Sequence, residues 1–531
     1  MLYRPVERGK LKHHCGIAAI YSKKSSNIPE KLFYALYSLQ HRGQESAGIA
    51  YRRHGRITSY KDLGMVYNVL SHYLKEEHPS HLGIGHVRYS THGANKIENA
   101  QPIVVSCNKG NIALAHNGNL SNSAELQERL FAEGSIFQTT TDTELILHLL
   151  AKSREKDFDA ALLEVLTQVE GAYSLVMIND DTLIAVRDPR GFRPLVMGRK
   201  NMSGEDEITL FASETCALDM FKPDEVREVE PGEIVTVGKS GITSLQFGSP
   251  QFSIHTTSSF GNRVSNNENA NSAMKTKMKR SQCIFELIYF ARPDSTIFGY
   301  TVHSIRKKMG ACLFERDERP GDTVISVPDS GNSAAQGYAN ASGIPYEQGL
   351  TRNHYTGRSF IQPTKSMREF GVRMKLHPVR DAIEGKRLTV VDDSLVRGTT
   401  SKTLVKLLKD AGAREVHMRL SSPEIKYPCF FGIDIPTKEE LISNRLTPEG
   451  IAREIGADSV MFLSIEDLKS CVSNPEDFCY ACFDGNYPTG DGNYPIGAGD
   501  PDRKSESDPG RNLDKNPESD SERDPETGNC P

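Results

Sequence analysis

The sequence lacks a long hydrophobic run. Its longest apolar stretches, such as Ala172–Ile178, fall far short of the ~20 residues that cross a bilayer. The first fourteen residues, MLYRPVERGKLKHH, hold no apolar core and are therefore not a secretory signal. An excess of one charge is missing too. Here 64 Lys+Arg stand against 69 Asp+Glu, a formal net charge of −5, so no global field draws the chain to nucleic acid or an anionic membrane. Neither G-x-x-x-x-G-K-[ST] nor a post-strand G-x-G-x-x-G occurs, which removes the P-loop and Rossmann readings. The ten cysteines are scattered, unlike a disulfide framework; free, metal-bound or catalytic thiols in a reducing compartment fit better. The expectation is a soluble, cytoplasmic chain with no nucleic-acid or membrane partner. Its 531 residues make two to four domains at roughly 150 residues each.

Two composition shifts divide the chain. Ser249–Arg280 is polar, Asn/Ser-rich and short of periodic apolar residues, and reads as an insertion or linker. Near Gly485 a short duplication, DGNYP at Asp484–Pro488 and Asp491–Pro495, leads into an acidic Ser/Asp/Glu/Pro tail. Residues 485–531 have too few aliphatics to offset their ordering entropy by burial, and disorder is expected. Between these cuts lie two kinds of globular sequence. Residues 15–248 cluster short β-like runs (GIAAIY, LGIGHVRYS, NIALAHNG, AYSLVMIN), with helical stretches at Pro29–Leu39 and Thr143–Lys152, a layered α+β pattern. Residues 281–484 instead begin as a strand–helix alternation: DTVISVPD, a helix through Ser333–Ala341, RLTVVDD, a helix through Thr400–Ala411, then EVHMRLSSP. That predicts an α/β parallel sheet with ligands at the carboxyl ends of its strands.

The most informative stretch is Leu388–Thr400, LTVVDDSLVRGTT. A buried strand enters a loop with Gly398 and the hydroxyls of Ser394, Thr399 and Thr400; a helix with Leu404, Leu407, Leu408 and Ala411 on one face follows. Free N–H groups at the helix start make that loop an anion site. Asp392 and Asp393 would repel a phosphate laid directly on them, so they are suited to sugar hydroxyls while the loop holds the phosphate. An acidic pair beside a phosphate cradle is the pattern for a phosphorylated ribose. The segment resembles the phosphoribosyl pyrophosphate (PRPP) signature of type I phosphoribosyltransferases, which implies PRPP contacts from Asp392, Asp393, Ser394, Arg397, Gly398, Thr399 and Thr400. Pro328–Gly331 (PDSG) resembles that fold's pyrophosphate loop, bringing in Asp329 and Ser330. Arg352–Pro363 is similar to its lid, with Arg352 and Arg358 either on pyrophosphate or as solvated surface charges. Mg2+ at Ser330, Asp392 and Asp393 follows from the same resemblance.

In the first half, Cys15 opens the first strand-like run as Cys15-Gly16-Ile17. A thiol is only slightly ionised at neutral pH and needs a base, yet no His or Lys follows at a telling spacing. Removal of residues 1–14 would free an α-amine beside the thiol to serve as that base, so the leader reads as a propeptide. Five polar tracts follow that a core would not require: Gln40–Gly48, Gly85–Gly93, His116–Leu120, Thr141–Glu144 and Arg187–Arg193. With the CGI start they resemble the class II glutamine amidotransferase domain of the N-terminal-nucleophile fold, an αββα four-layer sandwich. The resemblance implies that Cys15 attacks the glutamine amide and that the Asn117 side chain and Gly118 N–H form the oxyanion hole. It also implies that Arg88 and Asp142 bind the α-carboxylate and α-amino groups, with Arg42 and Thr91 shaping the pocket.

Cys479-x-x-Cys482 is a metal pair, a redox motif or chance. With Cys283 and Cys429 the separations are 146, 50 and 3 residues, which match no compact zinc finger. The four do resemble the 4Fe-4S ligands of a subgroup of glutamine PRPP amidotransferases that also carries a propeptide. Four soft thiolates suit iron–sulfur or zinc, and iron follows from the resemblance. Cys107, Cys216, Cys312, Cys471 and Cys530 read as plain buried or tail thiols.

Over residues 15–485 the two halves together resemble the glutamine PRPP amidotransferase family. This implies conversion of glutamine, PRPP and water into 5-phosphoribosylamine, glutamate and pyrophosphate, in a homotetramer inhibited by purine nucleotides. Another class II amidotransferase would share residues 15–248 but not LTVVDDSLVRGTT. A PRPP-sensing regulator would not need the Cys15 set, and an iron–sulfur redox protein would carry flavin or partner motifs.

Overall fold

The computed structural model describes residues 15–89, 96–202, 206–248, 253–256, 278–353, 376–433, 435 and 437–489. The leader 1–14, most of the polar insertion, Thr91, Arg358 and the tail beyond 489 lie outside them.

Alternation builds the first half. Strand Gly16–Asn27 turns Ala18 and Ile20 to one side, onto Leu32 and Leu36 of helix Ile28–Ser38. It turns Ile17, Ala19 and Tyr21 to the other, against Ala113, Ala115, Val176 and Ile178 of a second sheet. The first sheet runs through Glu225–Glu228, Val196–Met202, Asp206–Ala212, Gly16–Asn27, Pro79–Arg88, Ser46–Arg53 and Arg56–Leu63. The second runs through Ser253–Thr256, Gly241–Gln246, Glu233–Gly238, Thr182–Arg187, Gly171–Asn179, Gly110–Leu120 and Ile103–Cys107. Its outer face carries Leu114, Leu175 and Met177 against Ile146, Leu150 and Leu162 of helices Thr143–Lys152 and Phe158–Leu166. The layers are helix, sheet, sheet, helix, as expected. One boundary differs: the polar stretch 249–280 is not linker throughout, because Ser253–Thr256 pairs with Gly241–Gln246 and extends the second sheet. A sheet edge recruits an extended partner through backbone groups alone, so composition carried no sign of it.

The second half holds four parallel strands in the order Thr323–Ser326, Arg387–Asp392, Glu415–Leu420 and Ser459–Phe462. Both faces are covered, as a parallel sheet requires. Leu388 and Val390 meet Leu404, Val405 and Leu408 of helix Thr399–Asp410. Val324 and Val391 share a core with Met309 and Tyr338 of helices Val302–Glu315 and Asn332–Ser342. The halves touch directly: the Asn119 side chain donates to the Phe430 carbonyl at 2.9 Å, and the Phe192 and Phe431 rings stack at 4.3 Å. A parallel pair, Gln282–Cys283 with Phe478–Cys479, ties the C-terminal segment to the start of the second half.

Candidate active site

Cys15 stands just before the central strand Gly16–Asn27. Its thiol lies 3.6 Å from the Tyr89 carbonyl. Burial pushes the thiol up, the Tyr89 contact and Arg88 oppose that, and Glu45 and Asp142 add to it; no histidine or lysine is among these groups. Asn117 and Gly118 share strand Gly110–Leu120. Asn117 is fully buried, and neither its amide nitrogen nor its oxygen has a hydrogen-bond partner among the described residues. Such an orphaned group costs about 1–3 kcal/mol, and it is suited to a charge that arrives only during reaction. Gly118 has φ +154°, and a Cβ there would lie 1.9 Å from the Ala172 carbonyl oxygen, so only glycine fits. Arg88 ends strand Pro79–Arg88 and is buried. Asp142 precedes helix Thr143–Lys152; its Oδ2 accepts from the Leu120 N–H at 2.8 Å and its Oδ1 is 3.6 Å from His116 Nδ1. Those two contacts lock it to the Asn117–Gly118 strand.

Arg42, expected to shape the pocket, is tied to the Cys15 backbone and to two buried carboxylates. Its Nε donates to the Cys15 carbonyl at 3.1 Å, Nη1 to Glu214 at 2.6 Å and Glu286 at 3.0 Å, and Nη2 to Glu286 at 2.8 Å. These contacts commit four of its five N–H donors inside the protein, so it fixes the Cys15 backbone.

The second constellation sits at the carboxyl end of the parallel sheet. Strand Arg387–Asp392 delivers Asp392 and Asp393, both buried. The Asp393 N–H donates to Asp392 Oδ1 at 2.9 Å and the Ser394 hydroxyl to Asp393 Oδ2 at 2.5 Å, folding the loop around the pair. A pocket lined by Tyr289, Asp393, Ser394, Arg397, Gly398, Thr399 and Thr400 opens there, over the start of helix Thr399–Asp410, whose first N–H groups have no carbonyl within the helix. Gly398 has φ +78°, and a Cβ would meet Ile442 Cδ1 at 2.8 Å. Arg397 is paired with Glu440 at the rim. Asp329 and Ser330 follow strand Thr323–Ser326, and an ion pair from Arg352 to Asp329 sets strand Leu350–Arg352 beside them.

Comparison with known proteins identifies the family. Residues 86–220 match the profile of a family described as a glutamine amidotransferase domain. Over 481 residues the chain is 44% identical to amidophosphoribosyltransferase 1, chloroplastic, of Arabidopsis thaliana, covering 90% of this chain and 79% of that protein. It is also 44% identical over 481 residues to the amidophosphoribosyltransferase of Methanocaldococcus jannaschii, covering 90% and 98%. The chain belongs to the amidophosphoribosyltransferase family. A solved glutamine PRPP amidotransferase of B. subtilis, complexed with ADP and GMP, superposes with a TM-score of 0.76 at 43% identity, covering 90% of this chain and 98% of that one. A second structure, described as the allosteric regulatory enzyme of purine biosynthesis, gives 0.78 at 42%, covering 91% and 98%. Like other amidophosphoribosyltransferases, this chain is an enzyme of glycosyltransferase type that carries out the glutamine-dependent first step of purine biosynthesis. Among the described residues no helix is long and apolar enough to cross a membrane.

The four cysteines singled out in this amidophosphoribosyltransferase converge. Cys283 and Cys479 are register partners, Cys482 lies on the turn Ala481–Asp484, and Cys429 accepts from the Phe431 N–H at 3.4 Å. Burial raises every one of their thiols; the Cys482 thiol is pushed further by Cys429, Cys479 and Cys283 together. Among the described residues, however, no three His, Cys, Asp or Glu side chains are grouped to grip one metal ion. Thiolates on a single zinc stand about 3.8 Å apart by tetrahedral geometry, and a polynuclear cluster spaces them more widely. Four buried thiols are a soft donor set of the kind that both zinc and iron–sulfur take.

Sequence reasoning missed the residues that connect the sites. Glu214 and Glu286 lie under Arg42. Tyr289 reaches the phosphate pocket from a π-helical turn, Glu286–Phe290, whose Leu287 carbonyl, with that of Ala291 just beyond, accepts from buried Arg306 at 2.9 and 2.8 Å. The available signal was Glu286 itself, a carboxylate inside the apolar run CIFELIYFA, since a charge in such a run is buried only with a partner.

Proposed function

We propose that the enzyme divides its reaction between two separable sites. Cys15, freed of residues 1–14, attacks the glutamine carboxamide carbon, with its own α-amine as base. Ammonia leaves, and water hydrolyses the glutamyl thioester to glutamate. Asn117 and the Gly118 N–H receive the oxyanion, while Arg88 and Asp142 hold the α-carboxylate and α-amino groups. At the second site Asp392 and Asp393 hold the ribose hydroxyls, and the Ser394–Thr400 loop with Arg397 and Gly398 holds the 5-phosphate. Asp329, Ser330 and Arg352 would contact the pyrophosphate; Arg358 joins them by the resemblance alone. Ammonia attacks ribose C1 and pyrophosphate departs. Two carboxylates and a hydroxyl, Asp392, Asp393 and Ser330, form a hard-oxygen set that would hold Mg2+, which would neutralise the leaving group.

Ammonia is largely protonated in neutral water, so a dry passage between the sites would preserve the nucleophile. The Asn119 side chain, donating to the Phe430 carbonyl, shows that the halves pack directly. Cys283, Cys429, Cys479 and Cys482 would hold a 4Fe-4S cluster that ties the C-terminal segment to the fold. Regulation by purine nucleotides rests on the solved relative complexed with ADP and GMP, and a homotetramer follows from the family resemblance alone. The location in this reading is a reducing, cytoplasmic one; plant relatives are named chloroplastic.

The observation that carries this reading is the buried Asn117 amide beside Gly118, without a hydrogen-bond partner among the described residues, in a chain that also presents the Asp393–Thr400 pocket. Cys15→Ala is expected to abolish glutamine-dependent synthesis by at least ~10³-fold while ammonia-dependent synthesis stays within about twofold. Asp392→Ala or Asp393→Ala should reduce synthesis from either nitrogen source by ~10²-fold while basal glutaminase activity survives. Loss of both activities in Cys15→Ala would show that the sites are not separable. Intact mass and visible absorption of anaerobically purified enzyme test the leader and the cluster together; full glutaminase activity with residues 1–14 attached would overturn the base assignment.

A further inference from the structure

We infer that Glu286, carried by the phosphoribosyl half, is a positioning residue of the glutaminase site: it clamps Arg42, and Arg42 fixes the backbone carbonyl of Cys15. The inference rests on Cys15 being the nucleophile. Glu286 meets Arg42 in a two-pronged pair, Oε1 to Nη2 at 2.8 Å and Oε2 to Nη1 at 3.0 Å, and Arg193 approaches Oε1 at 3.4 Å. All three side chains are fully buried. The remaining bond from Arg42 Nε ends on the reacting residue itself, at 3.1 Å from the Cys15 carbonyl.

The exchange is reciprocal. Glu214 of the first half accepts from the Arg292 N–H at 2.9 Å and the Ser295 hydroxyl at 2.7 Å, both in the second half, while also holding Arg42. Each half thus lends a carboxylate to the other, and Arg42 sits between the two. Stability alone is a weak reason for such a set, because well-packed apolar residues often do as well as a buried ion pair. A bidentate carboxylate does what an apolar residue cannot: it fixes the plane of the guanidinium and so the direction of Nε. A displacement of about 1 Å at a reacting group can cost ~10²-fold in rate.

Glutamine's α-groups are read by Arg88 and Asp142, so loss of the clamp should slow chemistry and spare binding. In the full-length, processed enzyme, Glu286→Gln keeps the shape but replaces one acceptor oxygen by a donor facing Arg42. Its glutaminase kcat is expected to fall about 10- to 100-fold, with the KM for glutamine within about threefold. Alkylation of Cys15 by iodoacetamide should slow, and ammonia-dependent synthesis should stay within about twofold. Glu286→Asp keeps the charge and should recover most of the lost kcat. A Glu286→Gln enzyme with wild-type glutaminase kcat, beside an inactive Cys15→Ala enzyme, overturns this inference alone; an active Cys15→Ala enzyme overturns the nucleophile assignment beneath it. Parallel loss of glutamine- and ammonia-dependent activities also overturns it, since that marks Glu286 as an ordinary fold residue. Should Glu286→Gln not fold, Arg42→Lys decides: it keeps a cation between Glu214 and Glu286 but removes the Nε donor, and an unchanged glutaminase kcat defeats the proposal.

Discussion

The two pockets of this chain are built in opposite ways. The pocket proposed for the phosphate is contiguous: one strand, one loop and one helix start, Arg387 to Asp410, supply nearly all of it. The proposed glutaminase site is dispersed. Cys15, Arg88, Asn117 and Asp142 stand before one strand, at the end of another, within a third and before a helix, far apart in the chain. A substitution in the loop should therefore act locally on ligand binding, whereas one in the sandwich should act through packing and chemistry together. The contrast is sharpest at glycine. Gly118 is walled by the carbonyl of a neighbouring strand, while Gly398 faces the end of the Ile442 side chain, which can move.

Gly118→Ala is expected to have the largest effect. Its Cβ would sit 1.9 Å from the Ala172 oxygen, so two paired strands must separate; we expect about 3 kcal/mol or more of destabilisation in urea unfolding and no measurable glutaminase activity. Asn117→Ala separates chemistry from packing at the next position. Glutaminase kcat should fall by ~10²–10³-fold with little change in KM. Thermal stability should be unchanged or higher, because the substitution removes an amide that has no partner among the described residues. A stability loss there would mean the amide has a structural partner, and the oxyanion role would fall with it.

Gly398→Ala is the counterpart in the contiguous pocket. Holding alanine at φ +78° costs about 1–2 kcal/mol, and Ile442 must yield. The expected result is a KM for PRPP raised about tenfold, with glutaminase activity and its KM for glutamine unchanged. An equal effect on both substrates would erase the distinction between a local and a distributed site.

This difference in construction also decided what was legible in the chain. LTVVDDSLVRGTT carries its chemistry in consecutive residues, so strand, cradle and acidic pair could be placed before any coordinates. Helix ends moved by one residue, Thr400–Ala411 becoming Thr399–Asp410. A layered α+β pattern was readable in the clustered strands, and the αββα order came with the resemblance; Gly16–Asn27, buried on both sides at its start, is what a sheet covered twice demands. The roles at the first site were legible only as a resemblance, since nothing in the order of five tracts says which side chains meet. The Arg42–Glu286 clamp was hidden for the same reason: its partners are 244 residues apart. The strand Ser253–Thr256 was hidden because backbone pairing at an edge needs no distinctive side chains.

The smallest effect at neutral pH, and the one that isolates the sandwich, concerns two groups held there in unusual protonation states. Burial first, then Arg88, lowers His86 to about 3, with His116 and Lys61 adding and a bond to the His116 carbonyl opposing. Burial raises Asp188 to about 6 against Arg187 and the N–H groups of Phe192, Arg190 and Tyr173. The signs oppose. Between pH 6.5 and about 3 the unfolded chain protonates His86 while the folded chain does not, so this group's stabilisation is lost as pH falls. Between 3.8 and about 6 the folded chain keeps a proton on Asp188 that the unfolded chain releases, so this group's stabilisation is lost as pH rises. The two contributions offset each other between pH 4 and 6. Relative to wild type, His86→Asn should therefore tilt the urea-unfolding free energy downward with rising pH by about 1.4 kcal/mol per unit, and Asp188→Asn should tilt it upward by about the same. Equal slopes in all three proteins would mean that neither group is held in the sandwich as its burial requires.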